Sequence, residues 1–557
     1  MAEKSKFKPL ACGFHSHGDY SLDGGSPVKG KLQRAIELCR PADVLTDHGI
    51  ISGLASHWKE AKKLQKKGHN SQSIHGIEAY VVDPDRPPKV YKNGKVEPAY
   101  MHLTIHFKTA KAYQYFCRLT PIMEERAIVR WGERKPLLKL EELEPISGEI
   151  TLGSGCLVGP VQKNILRGRS DLAEKMYMKL REIAGPGNFF AEVFPHVIDH
   201  NWKKPERNEH NRITKKGYFE PITGTDRDEN AIDRPLELCK GVLDIQRDPN
   251  AFVIHMATKH GDPIVFSLDD HYACEDDRLV QEARLGNGRE DWKFYGSYAT
   301  HSSAICVATL QQQLGISDKQ AEEWIDNSYR FIELFKGYTL DSRWLLPSTD
   351  MVYEVDTPTE EKAWELVKKH GRMPSEDDPM YETYKKRYDY EISVLKDNGE
   401  ADFLPYFFVI EDAVDWGKKN GHMPNTRGSA GGSLVIYLFG ISITDPIKYN
   451  LPFERMLTIG RIKSGSLPDI DTDWGEKDPI FDYIKQKYGD QMALIATNVM
   501  MRLKTSILDA ERATMGEVRS GTSKMCVKIK GADQGQTDKE WLYGYTDKTT
   551  GEHVPGF

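Results

Sequence analysis

Between residues 11 and 270 the chain alternates short apolar runs with longer stretches of helical character. The runs are VLT at 44–46, IEAYVV at 77–82, HLTIHF at 102–107, ITLGS at 150–154, FFAEVF at 189–194 and PIVFSL at 263–268. Each is too short for a helix of ordinary length and is rich in β-branched or aromatic residues, so each reads as a strand. Strands that alternate with helical segments predict an α/β domain. The polar stretch 199–234 reads as a surface insertion.

From about 285 to 400 the pattern becomes helical and charge-rich. KQAEEWIDNSYRFIELF at 319–335 predicts a helix, and 374–396 continues with alternating charge. Residues 401–500 are more apolar and contain a Gly/Ser loop at 427–433, and a further helix is expected in NVMMRLKTSILDAERATMG. The last stretch, 520–557, is polar. These shifts set expected domains at 1–285, 286–500 with a helical lead-in, and 501–557.

The totals narrow the class. A chain of 557 residues is too long for a single core. Its hydrophobic fraction of 39% and charged fraction of 29% suit a globular protein and argue against a disordered or fibrous one. A net charge of −7 excludes a chain that is basic throughout. It leaves nucleic acid open as a partner, because phosphate contact needs only a local basic surface. Eight cysteines without a C-x-x-C pair argue against a zinc ribbon or a disulfide framework and suit a reduced, cytoplasmic setting. The N-terminus lacks an apolar signal region, and the apolar run at 433–443 is too short to span a bilayer, so no membrane partner is expected.

Candidate chemistry gathers first at the strand ends. In FHSHGDYSLDGG, residues 14–25, an extended backbone points His15 and His17 to one side, and Asp23 follows in a Gly-rich turn. LTDHG at 45–49 delivers Asp47 and His48 into a turn. Glu78 lies in GIEAY, His102 opens HLTIHF, Cys156 lies in GSGCL, and Asp269 and His271 lie in SLDDHY. A single histidine at a strand end is usually structural. A set of imidazoles, carboxylates and one thiol at successive strand ends has the composition of a metal cluster, of the Zn, Mn or Fe class rather than Mg or Ca. GSG at 153–155 does not open a dinucleotide loop, because Val158 stands where G-x-G-x-x-G requires glycine.

The ordered set HSH…DGG, TDHG, GIEAY, HL, SGCL and DDHY resembles the PHP (polymerase and histidinol phosphatase) family. The resemblance implies a distorted β/α barrel with a metal cluster at one rim. It carries the ligand roles onto His15, His17, Asp23, His48, Glu78, His102, Cys156, Asp269 and His271. It is closest to the PHP domain of bacterial C-family DNA polymerases and implies a phosphoesterase, in that setting a 3′–5′ exonuclease. The spacing from His17 to Asp23 is one residue shorter than the family's, which makes Asp23 the least secure of the nine.

A second constellation lies downstream. NTRGSAGGSLVIYLFG at 425–440 runs a Gly/Ser loop into an apolar helix, an arrangement whose backbone N–H groups can cradle phosphate. Arg427, Ser429 and Ser433 can add donors. In PDIDTDW, residues 468–474, a strand would set Asp469, Asp471 and Asp473 on one face. Carboxylates so placed repel unless cations lie between them, and Mg²⁺ is the natural partner.

With the flanking ADFLPYFFVIEDAVDWGKKNG and YNLPFERML, these motifs are similar to the palm of DNA polymerase III alpha subunits. That resemblance implies a nucleotidyltransferase-type α+β palm, the start of a helical thumb, a catalytic metal-binding pair at Asp469 and Asp471, and a nucleotide-binding loop at Arg427, Gly428, Ser429 and Ser433. It implies primer–template DNA and deoxynucleoside triphosphates as substrates. Thr426 replaces the family's usual glycine, and 461–469 is longer than the family segment. These departures suggest a distant branch, with a phage origin as the expectation. The family's third catalytic aspartate, in a K-F-D-F-L-G-type motif, is not found. The chain is therefore expected to be either the N-terminal piece of a split polymerase, completed by a second polypeptide carrying it and the fingers, or a truncated version, and to polymerise weakly alone. The alternatives are a PHP nuclease with an inactive or partner-completed palm, and a non-catalytic replication scaffold.

Overall fold

In a computed structural model of the protein, the six apolar runs become neighbouring strands of one sheet. The structure describes residues 6–557 apart from 22, 92–93, 131–132, 197–199, 204–205, 208–212, 216–217, 222–244, 279, 282–283, 285–296, 341–345, 397–401, 464–468, 493–502, 516, 529–544, 547–552 and 555–557. Two compact units result. One comprises Met1–Asp341 with Asn498–Phe557, and the other Ser342–Thr497.

The division thus falls at 341, whereas the hydropathy pattern sets a boundary at 285, a position outside the described residues. The helices Ser303–Leu314 and Asp318–Glu333 account for the difference. Their apolar faces place Val307, Leu310, Trp324 and Ile325 in the core of the first unit. Ser317 caps the second of them and forms a capping box with Gln320.

The strands of the main sheet are β1 (Ala42–Leu45), β2 (Gln72–Val82), β3 (Tyr100–Phe107), β4 (Ile150–Gly153), β5 (Phe189–Val193) and β6 (Ile264–Phe266), adjacent in that order. Leu137–Leu138 pairs beside β2 as a seventh strand. The pairs β1–β2, β4–β5 and β5–β6 are parallel, and β3 runs antiparallel to both β2 and β4. Residues 11–17 bridge the two sheet edges. Ala42 N–H donates to Ala11 O at 3.1 Å and Thr46 N–H to Ser16 O at 2.8 Å on the β1 side. Leu268 N–H donates to Gly13 O at 2.9 Å and His17 N–H to Asp270 O at 2.8 Å on the β6 side. The sheet is thereby curled into a barrel whose seam is the histidine-bearing segment itself.

Both faces of these strands are buried, but with different chemistry. Ile77, Ala79, Val81, Met101, Leu103 and Ile105 join the core that includes Phe116, Tyr177 and Leu180 of the surrounding helices. The alternate positions line the interior. At one end the lining is apolar, with Val44, Ile74, Phe190 and Val265 around Phe14 and Phe331. At the other end the same strands present His48, Glu78, Glu192 and Asp269. Because β3 is reversed, His102 reaches this end from near the start of its strand rather than from its finish.

The second unit is mainly helical. Thr359–His370, Tyr381–Leu395 and Leu404–Lys419 pack around a core that includes Phe403, Phe407, Leu434 and Phe439. A two-stranded antiparallel ribbon, β7 (Pro424–Arg427) and β8 (Asp471–Trp474), carries the polar motifs. Trp474 lies against Gly417, where an added Cβ would come within 2.5 Å of the indole. The helix Asp478–Tyr488 buries only part of its apolar surface. Ile480 and Tyr488 are buried, whereas Phe481 is 40% exposed. Tyr483, Lys487 and Tyr488 instead converge on Asp412, at 2.9, 2.6 and 3.1 Å.

Beyond the ribbon, Leu503–Met515 and Ser520–Lys528 are helices. The first occupies the described part of the helix expected from 498 to 516. No described helix is long and apolar enough to cross a membrane.

Candidate functional site

The polar end of the barrel gathers the nine side chains singled out by motif. His15 and His17 project together, with their Nε2 atoms 3.0 Å apart, and both are fully buried. Asp269 Oδ1 lies 3.2 Å from His17 Nε2 and 3.5 Å from His15 Nε2. Glu78 is the hub. Its Oε1 accepts from Cys156 Sγ at 3.1 Å, and its Oε2 lies 3.3 Å from His102 Nδ1 and against His48 Nδ1. Asp23 Oδ2 is 3.0 Å from His48 Nε2 and 3.6 Å from His271 Nε2. Three sets of ligand atoms are tight enough to share a cation: His17, Asp23, His48 and His271; His15, His17 and Asp269; and His48, Glu78 and His102.

Local structure aims these groups. His271 Nδ1–H donates to Asp269 O at 2.7 Å, which turns Nε2 toward Asp23. Ser21 Oγ accepts from His48 N–H at 2.9 Å and lies 3.3 Å from His17 Nδ1. Asp269 takes a left-handed backbone, φ 46°, which short polar residues tolerate. Gly49, at φ 66°, lets the TDHG turn pass over Tyr80, where a Cβ would lie 2.7 Å from the ring. Asp47 of the same motif is not part of the cluster and instead accepts from Gly18 N–H at 2.8 Å.

Electrostatics within the cluster are strong and mutual. Burial pushes the Glu78 carboxyl up, but His102, His48 and His15 outweigh it and hold it well below the usual range. Asp23 behaves likewise, with burial overcome by His48 and His271. Burial, then Asp269 and Glu78 acting against it, leave His15 pushed up to about 9. Burial together with His48, His271 and His15 drives His17 well down. Burial, then Glu78 and Asp269, push the Cys156 thiol well up.

Asp23 Oδ1 is buried without a hydrogen-bond donor, and Glu78 Oε2 and Asp269 Oδ1 are buried with only imidazole nitrogens against them. A buried carboxylate oxygen of this kind is costly unless a cation satisfies it. Mixed imidazole, carboxylate and thiol donors around such oxygens fit a cluster of divalent metals.

Glu192 was not singled out by any motif. It is fully buried on β5 and accepts from Gly155 N–H at 2.6 Å, Ser267 Oγ at 2.9 Å and Thr104 Oγ1 at 3.2 Å. Burial pushes its pKa up to about 7 against the charge of His15 and these donors. The signal for it was a single carboxylate inside the apolar run FFAEVF.

The ribbon of the second unit is arranged differently. Asp471 opens β8 and Asp469 precedes it, so the strand is shorter than expected, yet Asp469, Asp471 and Asp473 all face outward. Their charges reach Tyr406, whose phenol is raised first by burial and then by Asp469 and Asp471. Across the ribbon Arg427 pairs with Asp471 in register, and its Nε bonds Asp473 Oδ2 at 2.9 Å. Gly428 takes φ 74° and comes so near Asp471 that a Cβ would lie 3.2 Å from Oδ2.

Ser429 is half-buried beside them, whereas Ser433 is fully buried and faces away. Ser433 Oγ donates to Glu391 Oε2 at 2.8 Å, and Leu434 and Val435 N–H donate to the same carboxylate at 2.9 and 3.1 Å. The first turn of the helix Leu434–Leu438 is thus already occupied by an internal anion. Arg387 ties Glu391, at 2.7 Å, to Gly432 O at 2.9 Å and Leu451 O at 3.1 Å. Arg427, Gly428 and Ser429 therefore sit near the aspartates, and Ser433 builds the loop from behind.

Comparison with known proteins finds one family match in the barrel and a second that begins in the second unit and runs past its end at Thr497. Residues 13–196 match the model of the PHP domain, and residues 357–549 match that of the bacterial DNA polymerase III alpha NTPase domain. The chain therefore carries a PHP domain followed by a domain of the DNA polymerase III alpha type. Over 92% of its length it is 29% identical to the DNA polymerase III subunit alpha of Thermus aquaticus, and over 95% it is 28% identical to that of Aquifex aeolicus. An error-prone DNA polymerase of Cutibacterium acnes is 25% identical over 90% of the chain. The chain spans 42%, 41% and 38% of the length of these three relatives. The PHP match ends before Asp269 and His271, and it is the barrel seam that brings these two residues to the histidines.

Proposed function

We propose that the chain is part of a DNA-directed DNA polymerase of the polymerase III alpha type, acting in DNA replication, and that its barrel is a metal-dependent phosphoesterase working as a 3′–5′ exonuclease. The observation that carries the second half is the convergence of nine ligand-type side chains, with buried carboxylate oxygens facing imidazole nitrogens. The first half is supported by the match over 357–549 and by the outward-facing Asp469 and Asp471 beside the Gly/Ser loop.

In this reading His15, His17, Asp23, His48, Glu78, His102, Cys156, Asp269 and His271 hold Zn²⁺, Mn²⁺ or Fe²⁺, and Asp469 and Asp471 hold Mg²⁺. When bound, such cations supply Lewis-acid stabilisation of phosphoryl charge and, in the barrel, activation of water.

The residues of the chain do the rest. Glu78 and Asp269 keep the histidines oriented, and the surrounding barrel excludes bulk solvent. Arg427 offers a charged fork to a nucleotide triphosphate, with the Gly428 backbone and Ser429 beside it. Glu391 and Ser433 fix the loop that presents them. The substrates are primer–template DNA and deoxynucleoside triphosphates, in a bacterial nucleoid or an infected host's cytoplasm. Fingers and a third catalytic carboxylate come from outside these 557 residues.

Primer extension tests the polymerase half. The 557-residue chain with Mg²⁺ and all four triphosphates is expected to extend a labelled primer poorly and to do so well once the missing parts are added. Robust extension by the chain alone would overturn the need for a partner. Extension unaffected by Asp469→Ala would overturn the assignment of the site.

A further inference from the structure

The polar interior of the barrel contains a carboxylate and a hydroxyl that belong to none of the nine positions. Glu192 and Thr104 are fully buried, like His15 beside them. Three donors converge on Glu192: Gly155 N–H on Oε2, and the Ser267 and Thr104 hydroxyls on Oε1. β4 leaves room for it, because a Cβ at Gly153 would lie 2.2 Å from Glu192 Oε2. His15 Nδ1 is 4.0 Å from Glu192 Oε1, too far for a hydrogen bond, but only 3.4 Å from Thr104 Oγ1.

The direction of each bond follows from proton count. An ionised Glu192 can only accept, and in that state the single hydroxyl proton of Thr104 goes to it. Thr104 Oγ1 then faces His15 with lone pairs alone, and His15 Nδ1 must carry the proton that meets them. The other nitrogen, Nε2, is then the one that presents a lone pair to the cluster once a cation displaces its proton. It lies 3.5 Å from both Glu78 Oε1 and Asp269 Oδ1.

Resting on the metal-centre reading, we infer that Glu192 and Thr104 form a positioning relay that fixes the tautomer and ring orientation of His15 for metal binding. The relay runs from His15 Nδ1–H to Thr104 Oγ1, and from Thr104 Oγ1–H to Glu192 Oε1. Neither residue is a ligand itself. Partners of this kind typically hold a factor of about 10–100 in metal affinity.

The test is calorimetric titration of Mn²⁺ into the metal-stripped full chain, with the melting temperature of the stripped protein as a second readout. Thr104→Val removes the relay hydroxyl and leaves Glu192 its other two donors. It is expected to weaken Mn²⁺ binding by about 10–100-fold, while the stripped protein melts near the wild-type temperature and Thr104→Ser restores affinity. Glu192→Gln, which sets an amide N–H₂ against one of the three donors, is expected to lose affinity likewise and serves if Thr104→Val does not fold. Wild-type Mn²⁺ affinity in the folded variants, or lowered melting with unchanged affinity, would overturn the relay. His15→Ala separates the two levels. Undiminished Mn²⁺ binding there would overturn the metal centre itself, whereas loss in His15→Ala with wild-type affinity in Thr104→Val would overturn only the relay.

Discussion

The two carboxylate-bearing sites of this protein differ most in what surrounds the oxygens. In the barrel, Asp23, Glu78 and Asp269 are packed among histidines, and Asp23 Oδ1 lacks a donor. On the ribbon, Asp469 and Asp471 face solvent, and Asp473 is satisfied by Arg427, an ion pair between side chains 56% and 60% exposed. Water can solvate the second set at little cost but reaches the first far less, with the Asp23 and Asp269 side chains 13% and 14% exposed. The barrel therefore reads as a site built to hold cations in the resting protein. The ribbon reads as one that gathers them together with substrate phosphates.

This contrast can be broken most directly by substituting a ligand in each place. His15→Ala should remove tight Mn²⁺ or Zn²⁺ binding and with it the ligand-linked gain in stability. That gain is about 2.7 kcal/mol when metal stands a hundredfold above its dissociation constant. Asp471→Ala should leave it intact. Melting curves with and without chelator check both, and equal loss in the two variants would erase the distinction.

The ribbon's own construction is tested by Glu391→Gln, which turns an acceptor for two backbone N–H groups, a hydroxyl and Arg387 into a partial donor. A cost of about 2–3 kcal/mol is expected for leaving such buried groups unpaired, read as a lower denaturation midpoint of the second unit. Gly428→Ala should cost about 1–2 kcal/mol through its left-handed backbone and should also disturb Asp471. Weaker binding of a triphosphate with little change in barrel metal affinity is the expected pattern.

The smallest effect concerns pH. Burial raises Glu411, but His370, Tyr353 and Lys369 outweigh it and hold the carboxyl below its usual range. Its unfolded value is about 4.3. The unfolded chain thus binds the proton more readily, so this contribution is fully present above that pH and is lost as pH falls through the folded value. Glu411→Gln should flatten the acid limb of the second unit's stability, measured by denaturant titration.

Much of the barrel was legible because its strands are short apolar runs and most of its ligand-type side chains stand near their ends, with Glu78 inside its strand. All six runs pair in one sheet, and the H-S-H spacing does set two imidazoles side by side. The antiparallel course of β3 was not legible, since period-2 patterning carries no direction. Nor was Glu192, whose run reads as an ordinary buried strand with one misplaced charge. In the second unit the alternation D-x-D-x-D correctly reports one outward face, although Asp469 lies before the strand. The role of Ser433 was misread from composition. A serine before an apolar helix serves equally as an N-cap or as a phosphate donor, and Glu391, forty residues upstream, decides between them. In the helix Asp478–Tyr488, Tyr483 and Tyr488 are likewise held by a distant side chain, the partly buried Asp412.

The central claim is that the barrel is a metal-dependent phosphoesterase in its own right, independent of the aspartate pair. The decisive measurement is release of 3′ nucleotides from end-labelled single-stranded DNA in Mn²⁺ by the wild-type chain, His15→Ala and Asp469→Ala. Release by the wild type, a fall of about 10²–10³-fold in His15→Ala, the scale of losing a group that stabilises transition-state charge, and full activity in Asp469→Ala are predicted. No release by the wild type, or equal loss in both variants, would contradict it.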